Sequence, residues 1–520
     1  MNFEISDSAL QIGHQDPVDA LLQQCRGRIK QCSSIEELKK NSTSMWSFEG
    51  PKIPSETKAL GGVYWVSKES VLKGTKLDKW QDFAEGLILE PHGTPGQWTP
   101  KIKCFYEHPT RPDIIGLPRF FGLSMFGMPE KDIRVLGTPI THSCSDIDLR
   151  DLQKRAVSQT LEQLEVWGGS FIIADCGFGK TRIGMSLATR LKRKTLILCN
   201  REVLMLQWAS VIKELQPSWT ISWLQGSDSF TKPTMKCGGQ TFLGASVDSD
   251  ICVASIDTLV DSNVPKDILH SFGLVIVDEA HHLAAATLVH ALPLLASRYI
   301  VSLSATPDRR DGLEHAIYWL AGPVSFVYKR LPSITGIHGS VIIQKLMATG
   351  CSQHEKMYAN GQLAFAEMTT SLSIDTRRNK YIIEAIRDIL HRQKIIVVSS
   401  LVAHCSLLRD AFPDQVTALM AGPTVESIKA KDPSTKLVFA TYSMLEEGYD
   451  DPNLDTLILS TPRSRVQQTV GRIERTKEGK SVPLVIDVVD PFSIYPNMWF
   501  KRFHFYKSRG FQIEDHHASH

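Results

Sequence analysis

A chain of 520 residues exceeds one ordinary hydrophobic core and predicts about three or four domains. Its composition, 42% apolar and 22% charged, excludes a largely disordered protein. The formal net charge of +2 excludes a general basic field, so any binding to nucleic acid has to come from local patches.

Two features bear on location. The sequence has no apolar run of about 18 residues, and its N-terminus lacks the basic and apolar regions of a signal peptide. The 10 cysteines are scattered without a Cys-x-x-Cys pair, which argues against a zinc ribbon and for reduced thiols. We therefore expect no transmembrane helix, and a protein that is intracellular rather than secreted, in the cytosol or the nucleus.

Residues 1–145 are predicted to form an accessory domain. The first 60 residues are polar with some helical periodicity, and from residue 61 to 140 short apolar runs broken by Gly and Pro predict a β-rich or α+β fold. Leu117 to Leu123 places Arg119 among aromatic residues. Two interpretations stay open: an aromatic core with one surface arginine, which we favour, and a nucleic-acid contact that would make this domain a DNA-recognition element.

From about residue 148, strand-length apolar runs alternate with helical stretches, which is typical of a doubly wound parallel sheet. The alternation stops over 323–372, predicted to be a linker or insertion, and then resumes. The sequence thus predicts an α/β protein with two tandem lobes, 146–322 and 373–520, the second ending in a polar tail. The predicted strands are 171–173, 195–199, 251–255, 274–277 and 299–302 in the first lobe and 395–399, 437–440, 456–459 and 484–488 in the second.

The stretch from Ala174 to Thr181 is typical of a phosphate-binding P-loop, because an apolar run leads into it and a helical pattern follows. Glycines allow a sharp turn whose N–H groups face a triphosphate at the helix N-terminus. Lys180 would reach the terminal phosphates and Thr181 would ligate Mg²⁺, although Ala174 replaces the usual first glycine. The predicted ATP-binding residues are Ala174, Asp175, Cys176, Gly177, Phe178, Gly179, Lys180, Thr181 and Arg182.

Two carboxylates, Asp278 and Glu279, directly follow the apolar run 274–277. Carboxylates just after a buried strand lie at the carboxyl edge of a parallel sheet, beside a P-loop. Asp278 can hold Mg²⁺ directly or through water, and Glu279 can orient or deprotonate the attacking water. We therefore predict Lys180, Asp278 and Glu279 as catalytic residues, with Thr181 and Asp278 as the metal ligands.

Asp278-Glu-Ala-His281 is the DEAH form of the Walker B motif, and by it the chain resembles the superfamily 2 helicases and translocases. Ser304-Ala-Thr306 looks like motif III of that superfamily, which links the ATP site to the nucleic acid. The resemblance implies that Gln153 contacts adenine. It also implies nucleic-acid contacts in motif Ia and the following strand and loop, although a structural role for each residue stays open: Asn200, Arg201, Gln207 and Thr258.

In the second lobe, residues 468–475 read Gln-x-x-Gly-Arg-x-x-Arg, which looks like motif VI. Arg472 and Arg475 are three positions apart and would share one face of a helix. The resemblance implies that both act on the γ-phosphate as arginine fingers, with Gln468 as a further catalytic candidate.

Thr441 and the segment Glu447-Gly-Tyr-Asp450 resemble motif V. The resemblance implies that Thr441 contacts nucleic acid. It further implies that Gly448 permits a tight turn and that Asp450 contacts the ribose or an arginine finger.

The run from Ser304 to Gly312 and the form of motif VI are most similar to the XPB-like and phage-type branch of DNA helicases. XPB-type proteins have Arg-Glu-Asp after motif III, whereas this chain has Arg309-Arg-Asp311. Residues 117–122 before such a core resemble the transcript-release helicases of large cytoplasmic DNA viruses, the poxvirus, asfarvirus and iridovirus relatives. A viral replication site or virion is therefore a further location to expect.

The resemblance implies two RecA-like lobes that use ATP and Mg²⁺ to translocate along nucleic acid, DNA in preference to RNA. It implies a role in transcription (elongation or transcript release), repair or recombination, with the transcription machinery as a candidate partner. Two alternatives stay open: an RNA-directed helicase and a nucleic-acid-binding scaffold without turnover. A nuclease-coupled restriction translocase is disfavoured, because the N-terminal module has no convincing Pro-Asp-x-n-Glu-x-Lys-like stretch.

Aromatic and basic residues alternate between Tyr495 and Phe511. We favour a C-terminal helix that docks its aromatic face, and a platform for single-stranded nucleic acid is the alternative.

Overall fold

The structure is a computed structural model of the chain. It describes residues 58–75, 77, 79–90, 101–108, 110–129, 131–175, 177–280, 285–305, 314–328, 341–349, 354–358, 361, 363–421, 429–430, 432–449, 451–474 and 479–515, with the backbone alone at 285–286, 314–316 and 447–448. The described residues divide into two compact units, those within 1–174, 179–201 and 208–328 and those within 175–178, 202–207 and 329–520. The helical periodicity predicted before residue 58 and the polar tail at 516–520 lie outside the described residues.

The N-terminal part of the first unit is an α+β module, as the sequence predicts. Its strands and helices are β1 (Ala59–Leu60), β2 (Val63–Ser67), α1 (Lys68–Thr75), α2 (Trp80–Gly86), β3 (Ile88–Leu89), β4 (Ile102–Lys103), β5 (Tyr106–Glu107), β6 (Ile114–Pro118), α3 (Arg119–Phe126) and β7 (Lys131–Asp132). In the part of the chain that the structure describes, five of these strands form a sheet in the order β5-β6-β2-β1-β7, and β3 pairs with β4.

The rest of the first unit is built on a large sheet. Its strands are β8 (Gly169–Ala174), β9 (Thr195–Cys199), β10 (Ile221–Leu224), β11 (Thr234–Cys237), β12 (Gln240–Gly244), β13 (Ile251–Ser255), β14 (Leu274–Val277), β15 (Tyr299–Ser304) and β16 (Val324–Tyr328). Its α-helices are α4 (Asp151–Trp167), α5 (Lys180–Leu191), α6 (Glu202–Leu215), α7 (Ile256–Asp261), α8 (Lys266–Ser271), α9 (Ala285–Ala291) and α10 (Glu314–Ala321).

Among the described residues, these nine strands lie in the order β11-β12-β10-β13-β9-β14-β15-β8-β16. Only β11 and β12 pair antiparallel there, and the other neighbours are parallel. β9 and β14 are buried along their whole length, which explains why each reads as a continuous apolar run. The antiparallel hairpin β11–β12 is an addition at one edge that the sequence does not predict.

The second unit carries the other parallel sheet. Its strands are β17 (Ile342–Met347), β18 (Ile395–Ser399), β19 (Thr417–Met420), β20 (Leu437–Thr441), β21 (Thr456–Leu459), β22 (Leu484–Val489) and β23 (Gln512–Asp515), and its α-helices are α11 (Phe365–Ile374), α12 (Thr376–Asp388), α13 (Val402–Asp410), α14 (Tyr442–Gly448), α15 (Gln467–Gly471) and α16 (Tyr495–Ser508). In the described residues the strand order is β19-β20-β18-β21-β22-β17-β23, with every pair parallel. The predicted fold class is confirmed: an α+β module is followed in the chain by two α/β lobes, each built on a mainly parallel sheet.

The segment 323–372, predicted to be a linker or insertion, contributes a strand to each sheet. β16 pairs in parallel with β8, and β17 pairs in parallel with both β22 and β23. These strands escape the sequence pattern because neither is buried along its whole length. The linker prediction therefore needs correction at both of these strands.

The N-terminal module and the first large sheet share one hydrophobic core. Phe121 of α3 packs on Trp319 of α10, with their ring centroids 5.0 Å apart, and a Cβ on Gly169 would lie 2.0 Å from the ring of Phe120. Arg119 is 1% exposed and donates two hydrogen bonds, to the carbonyl oxygens of Leu295 and Ser297, both at 2.8 Å. The predicted aromatic core is confirmed, but Arg119 is buried within it, so its prediction as a surface arginine is wrong and a nucleic-acid contact by Arg119 is not supported.

Candidate nucleotide site and nucleic-acid contacts

The order of the strands brings three sequence motifs to one sheet edge. β15 lies between β14 and β8, so the three strands that precede the carboxylate pair, motif III and the P-loop are direct neighbours. Their register aligns Val277 with Ser302 and Ser304 with Ile173. Because all three strands are parallel, the residues that follow them lie at the same carboxyl edge.

The turn between β8 and α5 has the backbone that a P-loop requires. Gly177 and Gly179 have φ values of 80° and 94°, in the left-handed region that favours glycine. A Cβ on Gly179 would lie 2.3 Å from Nε2 of Gln153, so this position also has no room for a side chain. α5 then runs for 12 residues from Lys180, long enough to present a helix N-terminus to an anion.

Gln153 lies against this turn, as the resemblance implies for a residue near the adenine. It is buried in the first turn of α4, and its Oε1 accepts a hydrogen bond of 2.9 Å from the Arg150 N–H. The capping contact fixes the side chain against the Cα of Gly179.

Lys180 lies at the centre of the site. Its ammonium group donates to the carbonyl oxygen of Ala174 at 3.0 Å and is 3.8 Å from Oε1 of Glu279. The two side chains are only 10% and 16% exposed, so their attraction is weakly screened. The fold thus brings together two charged residues that are far apart in the sequence.

Asp278 is held through both of its oxygens. Oδ2 accepts a hydrogen bond of 2.8 Å from Nε1 of Trp208, and Oδ1 accepts one of 3.0 Å from the Glu279 N–H. Burial raises the pKa of Asp278 to about 6, and the adjacent Glu279 carboxylate adds to this rise. Glu279 itself has a left-handed φ of 45°, an uncommon backbone for a residue with a side chain.

The groups around this turn fit a nucleoside triphosphate with a bound hard cation. The glycine turn excludes a side chain where phosphates would approach, and Lys180 supplies a compact positive charge. Thr181, in the first turn of α5, offers a hydroxyl and Asp278 a carboxylate, the oxygen ligands that Mg²⁺ prefers.

Arg182 is placed differently from the prediction. Its guanidinium forms an ion pair of 2.8 Å with Glu214 of α6, and both side chains are substantially exposed. The prediction that it contacts nucleotide is therefore not supported, because its charge is already engaged on the surface. Asp175, whose carbonyl accepts from the Phe178 N–H, and Phe178, which is buried, belong to the turn itself, whereas Cys176 lies outside the described residues.

The predicted nucleic-acid contacts of the first lobe fall into two groups. Asn200 follows β9, Arg201 is exposed at the N-terminus of α6, and Gln207 is half-buried on that helix. Thr258 is only 8% exposed, and its hydroxyl accepts a hydrogen bond of 2.9 Å from the Gly226 N–H. The nucleic-acid prediction for Thr258 needs correction, because its hydroxyl holds the turn after β10. His281 and residues 306–312 are not among the described residues.

The motif V and VI segments of the second unit meet at Glu446. The Glu446 carboxylate accepts hydrogen bonds of 2.6 Å from Arg463 and from the Thr469 hydroxyl, and its carbonyl oxygen accepts one from Arg472. α15 ends at Gly471, and Arg472 follows as its C-cap with helical backbone angles. Arg475 and Asp450 lie outside the described residues.

Three other predicted residues of this unit are described. Gln468 is half-buried on α15, and Gly448 is the last residue of α14. Thr441 begins α14 as its N-cap, and its Oγ1 accepts a hydrogen bond of 3.4 Å from the Met444 N–H.

The C-terminal helix α16 packs on the second unit, as the favoured interpretation of its sequence predicts. Tyr495, Arg502 and Tyr506 are buried, and the Arg502 guanidinium donates to both oxygens of the buried Asp487 at 2.8 Å. Phe500 lies on the opposite side and is 57% exposed. No described helix is both long and apolar enough to span a bilayer.

Sequence reasoning gave no role to Trp208 or Glu446. Trp208 is recognisable as part of motif Ia, and one signal was available, since a buried indole N–H usually needs an acceptor. Nothing in the spacing shows that the acceptor is Asp278, 70 residues further on.

Comparisons with known proteins show which proteins this chain is similar to. Residues 146–309 match the family described as "Type III restriction enzyme, res subunit". A protein of Acanthamoeba polyphaga mimivirus, provisionally named an ATP-dependent RNA helicase, is 26% identical over 391 residues, 73% of this chain and 71% of its own length. A protein of African swine fever virus with the same provisional name is 24% identical, over 67% of this chain and 70% of its own.

Among solved structures, a fragment provisionally assigned as the HsdR subunit of a type I restriction enzyme from Vibrio vulnificus matches with a TM-score of 0.49 and 18% identity. The match covers 76% of this chain and 72% of that one.

Proposed function

We propose that this chain is a superfamily 2 helicase, an ATP-driven motor that translocates along DNA or unwinds it. The match of residues 146–309 to a restriction-enzyme family and the helicase name of the mimivirus relative support this proposal. One observation carries the proposal: the fold brings Lys180, Asp278 and Glu279 together at the carboxyl edge of one parallel sheet. A lysine and two carboxylates beside a glycine-rich turn are the groups that catalyse phosphoryl transfer to water in P-loop enzymes.

Each residue of this site has a task in hydrolysis. The N–H groups at the start of α5 and the Lys180 ammonium would hold the β- and γ-phosphates, and Gln153 would lie near the adenine. Thr181 and Asp278 would hold Mg²⁺, which neutralises charge on the phosphates. Glu279 would orient the attacking water and accept its proton, and its distance of 3.8 Å from Lys180 places it beside the phosphate-binding group.

Arg472, Arg475 and Gln468 are proposed to act on the γ-phosphate from the second lobe, with Gly448 and Asp450 in the adjoining turn. The Glu446 contacts support this assignment for Arg472, because they hold its segment in a defined conformation. Guanidinium groups supplied to a phosphate in this way stabilise charge that develops in the transition state.

DNA is the preferred substrate in this proposal. The motif resemblance to DNA helicases supports it, and the matching family is named for a restriction enzyme, a class that acts on DNA. The second candidate is an RNA-directed helicase, favoured by the provisional names of the mimivirus and African swine fever virus relatives. A role in transcript elongation or release, with transcription machinery as partner and a viral replication site, cytosol or nucleus as location, rests on the resemblance alone.

The ATPase rate tests this proposal directly. We expect single-stranded or duplex DNA to raise the rate above that with RNA or without nucleic acid, and the rise to shrink at higher salt because phosphate contacts release counterions. Lys180→Ala should abolish turnover with an unchanged fold, whereas Lys154→Ala, at an exposed ion pair with Asp151, should keep the wild-type rate.

Three outcomes would contradict parts of the proposal. Stimulation by RNA above DNA would favour the second candidate. Full activity of Lys180→Ala would remove the P-loop from the mechanism. Absence of turnover with every nucleic acid would favour a scaffold.

A further inference from the structure

Trp208 makes a direct contact with a residue of the proposed metal site. It lies on α6, is 1% exposed, and donates its indole N–H to Oδ2 of Asp278 at 2.8 Å. The second oxygen of Asp278 accepts the Glu279 N–H at 3.0 Å. With a donor on each oxygen, the carboxylate plane of Asp278 has one preferred orientation.

The indole is itself held in place by the helix of the P-loop. A Cβ on Gly184 of α5 would lie 2.8 Å from Cη2 of Trp208, so the ring packs directly on the backbone of that helix. Gly184 is buried two positions after Arg182 and three after Thr181. A single side chain therefore joins α5, which carries Thr181, to the end of β14, which carries Asp278.

We infer that Trp208 is a positioning residue that orients the Asp278 carboxylate for Mg²⁺ while its ring sets the separation of that carboxylate from α5. This inference rests on the proposed function. Each oxygen of a carboxylate has two acceptor positions, so the bond from Trp208 occupies one and leaves the other oriented for a metal or its water. Partners of metal ligands with this role usually change metal affinity or activity by about 10- to 100-fold when they are removed.

Two replacements separate the hydrogen bond from the packing. Trp208→Phe removes the N–H and part of the ring. Replacement of Trp208 by β-(3-benzothienyl)alanine exchanges the N–H for sulfur and keeps the bicyclic shape, so it tests the hydrogen bond even where the smaller phenyl ring disturbs the fold.

The matched control is Trp223→Phe. Trp223 is also 1% exposed in the same unit, but its N–H donates to Oε1 of Gln225 at 2.9 Å and its ring stacks on Phe242. It therefore reports the cost of losing a buried indole that has no contact with the carboxylate pair.

Binding of Mn²⁺ to the 520-residue chain in the presence of ADP is measured by electron paramagnetic resonance. Affinity for a fluorescent ADP is measured separately in EDTA, where no divalent metal is available. We expect both changes at Trp208 to weaken Mn²⁺ binding by about tenfold and to leave ADP affinity in EDTA unchanged. The Mg²⁺ concentration for half-maximal ATPase should rise by a similar factor, with KM for ATP at saturating Mg²⁺ nearly unchanged.

Mn²⁺ affinity in the benzothienylalanine protein equal to that of the wild type and of Trp223→Phe would overturn the inference about Trp208 alone. Absence of Mn²⁺–ADP binding in the wild type would overturn it together with the proposed function.

Discussion

A buried histidine, His404, is held neutral by its surroundings in the second unit. His404 is 1% exposed, with Nδ1 2.9 Å from Oγ of Ser399 and Nε2 3.0 Å from Oδ1 of Asn379. The amide oxygen can only accept, so Nε2 carries the proton and Nδ1 accepts from the serine. Burial and, to a smaller extent, the positive charge of Arg378 together lower the pKa of His404 to about 3.

This environment predicts that acid destabilises the second unit. The folded pKa of about 3 lies below the ordinary value of 6.5, so the unfolded state binds a proton first as the pH falls. Between pH 7.5 and 5 this difference should cost about 2 kcal/mol, because each pH unit below 6.5 costs up to about 1.4 kcal/mol. His404→Gln should lose that part of the pH dependence, measured as the opening free energy of β18 amides by hydrogen exchange.

The exposed His504 provides the matched control, since His504→Gln should keep the wild-type pH dependence. Equal pH dependence in His404→Gln and the wild type would show that the histidine is not held neutral.

The proximity of the candidate nucleotide-site residues could be predicted from the sequence, but the contacts that support them could not. Lys180, Asp278 and Glu279 follow apolar strands with motif spacing, so parallel-sheet geometry alone predicts that they meet. Trp208 with Asp278 and Thr258 with Gly226 are pairs between elements far apart in sequence, and no local pattern encodes them. Arg182 was predicted to bind nucleotide because it follows the P-loop motif directly. The sequence pattern does not show that Glu214 on another helix pairs with it.

At the scale of elements, the N-terminal module is fastened to the first large sheet by polar contacts around its core. Arg119 of α3 donates to the carbonyls of Leu295 and Ser297, just before β15. Asp132 at the end of β7 forms ion pairs of 2.6 Å with both Arg134 and Arg298. The module is therefore expected to move together with the nucleotide site of the first unit.

Arg119→Met should loosen this attachment. The change introduces an apolar side chain of similar length and leaves two carbonyls without their charged donor. We expect the opening free energy of this region to fall by about 2 kcal/mol. Hydrogen exchange of β6 and α3 amides should show an opening free energy that is lower by that amount. Arg111→Met, at an exposed ion pair with Asp113, is the control, and equal protection in both variants would contradict the role of Arg119.

Several strands that are buried along their whole length were predictable, although β10, which is also wholly buried, was missed. The continuous apolar runs of β9, β14 and β18 gave their bounds exactly as the structure has them. β16 and β17 were missed since their residues are mostly half-buried and the pattern weakens.

On the scale of the whole molecule, the candidate nucleotide site lies on the first unit, and the second unit carries another parallel sheet with the segments that resemble motifs V and VI. The contacts that join Lys180, Asp278 and Glu279 to their neighbours are made within the first unit. Movement along DNA requires that hydrolysis there be coupled to a second grip on the strand, which a motor needs and a simple ATPase does not.

Displacement of a triplex-forming oligonucleotide from duplex DNA tests this central claim most directly, because a protein that moves along the duplex strips the third strand from its path. We predict release with ATP and no release with a non-hydrolysable analogue. Glu279→Gln should bind ATP yet release nothing. Release that is equally fast without hydrolysis, or no release although DNA stimulates the ATPase, would contradict the account of an ATP-driven DNA motor.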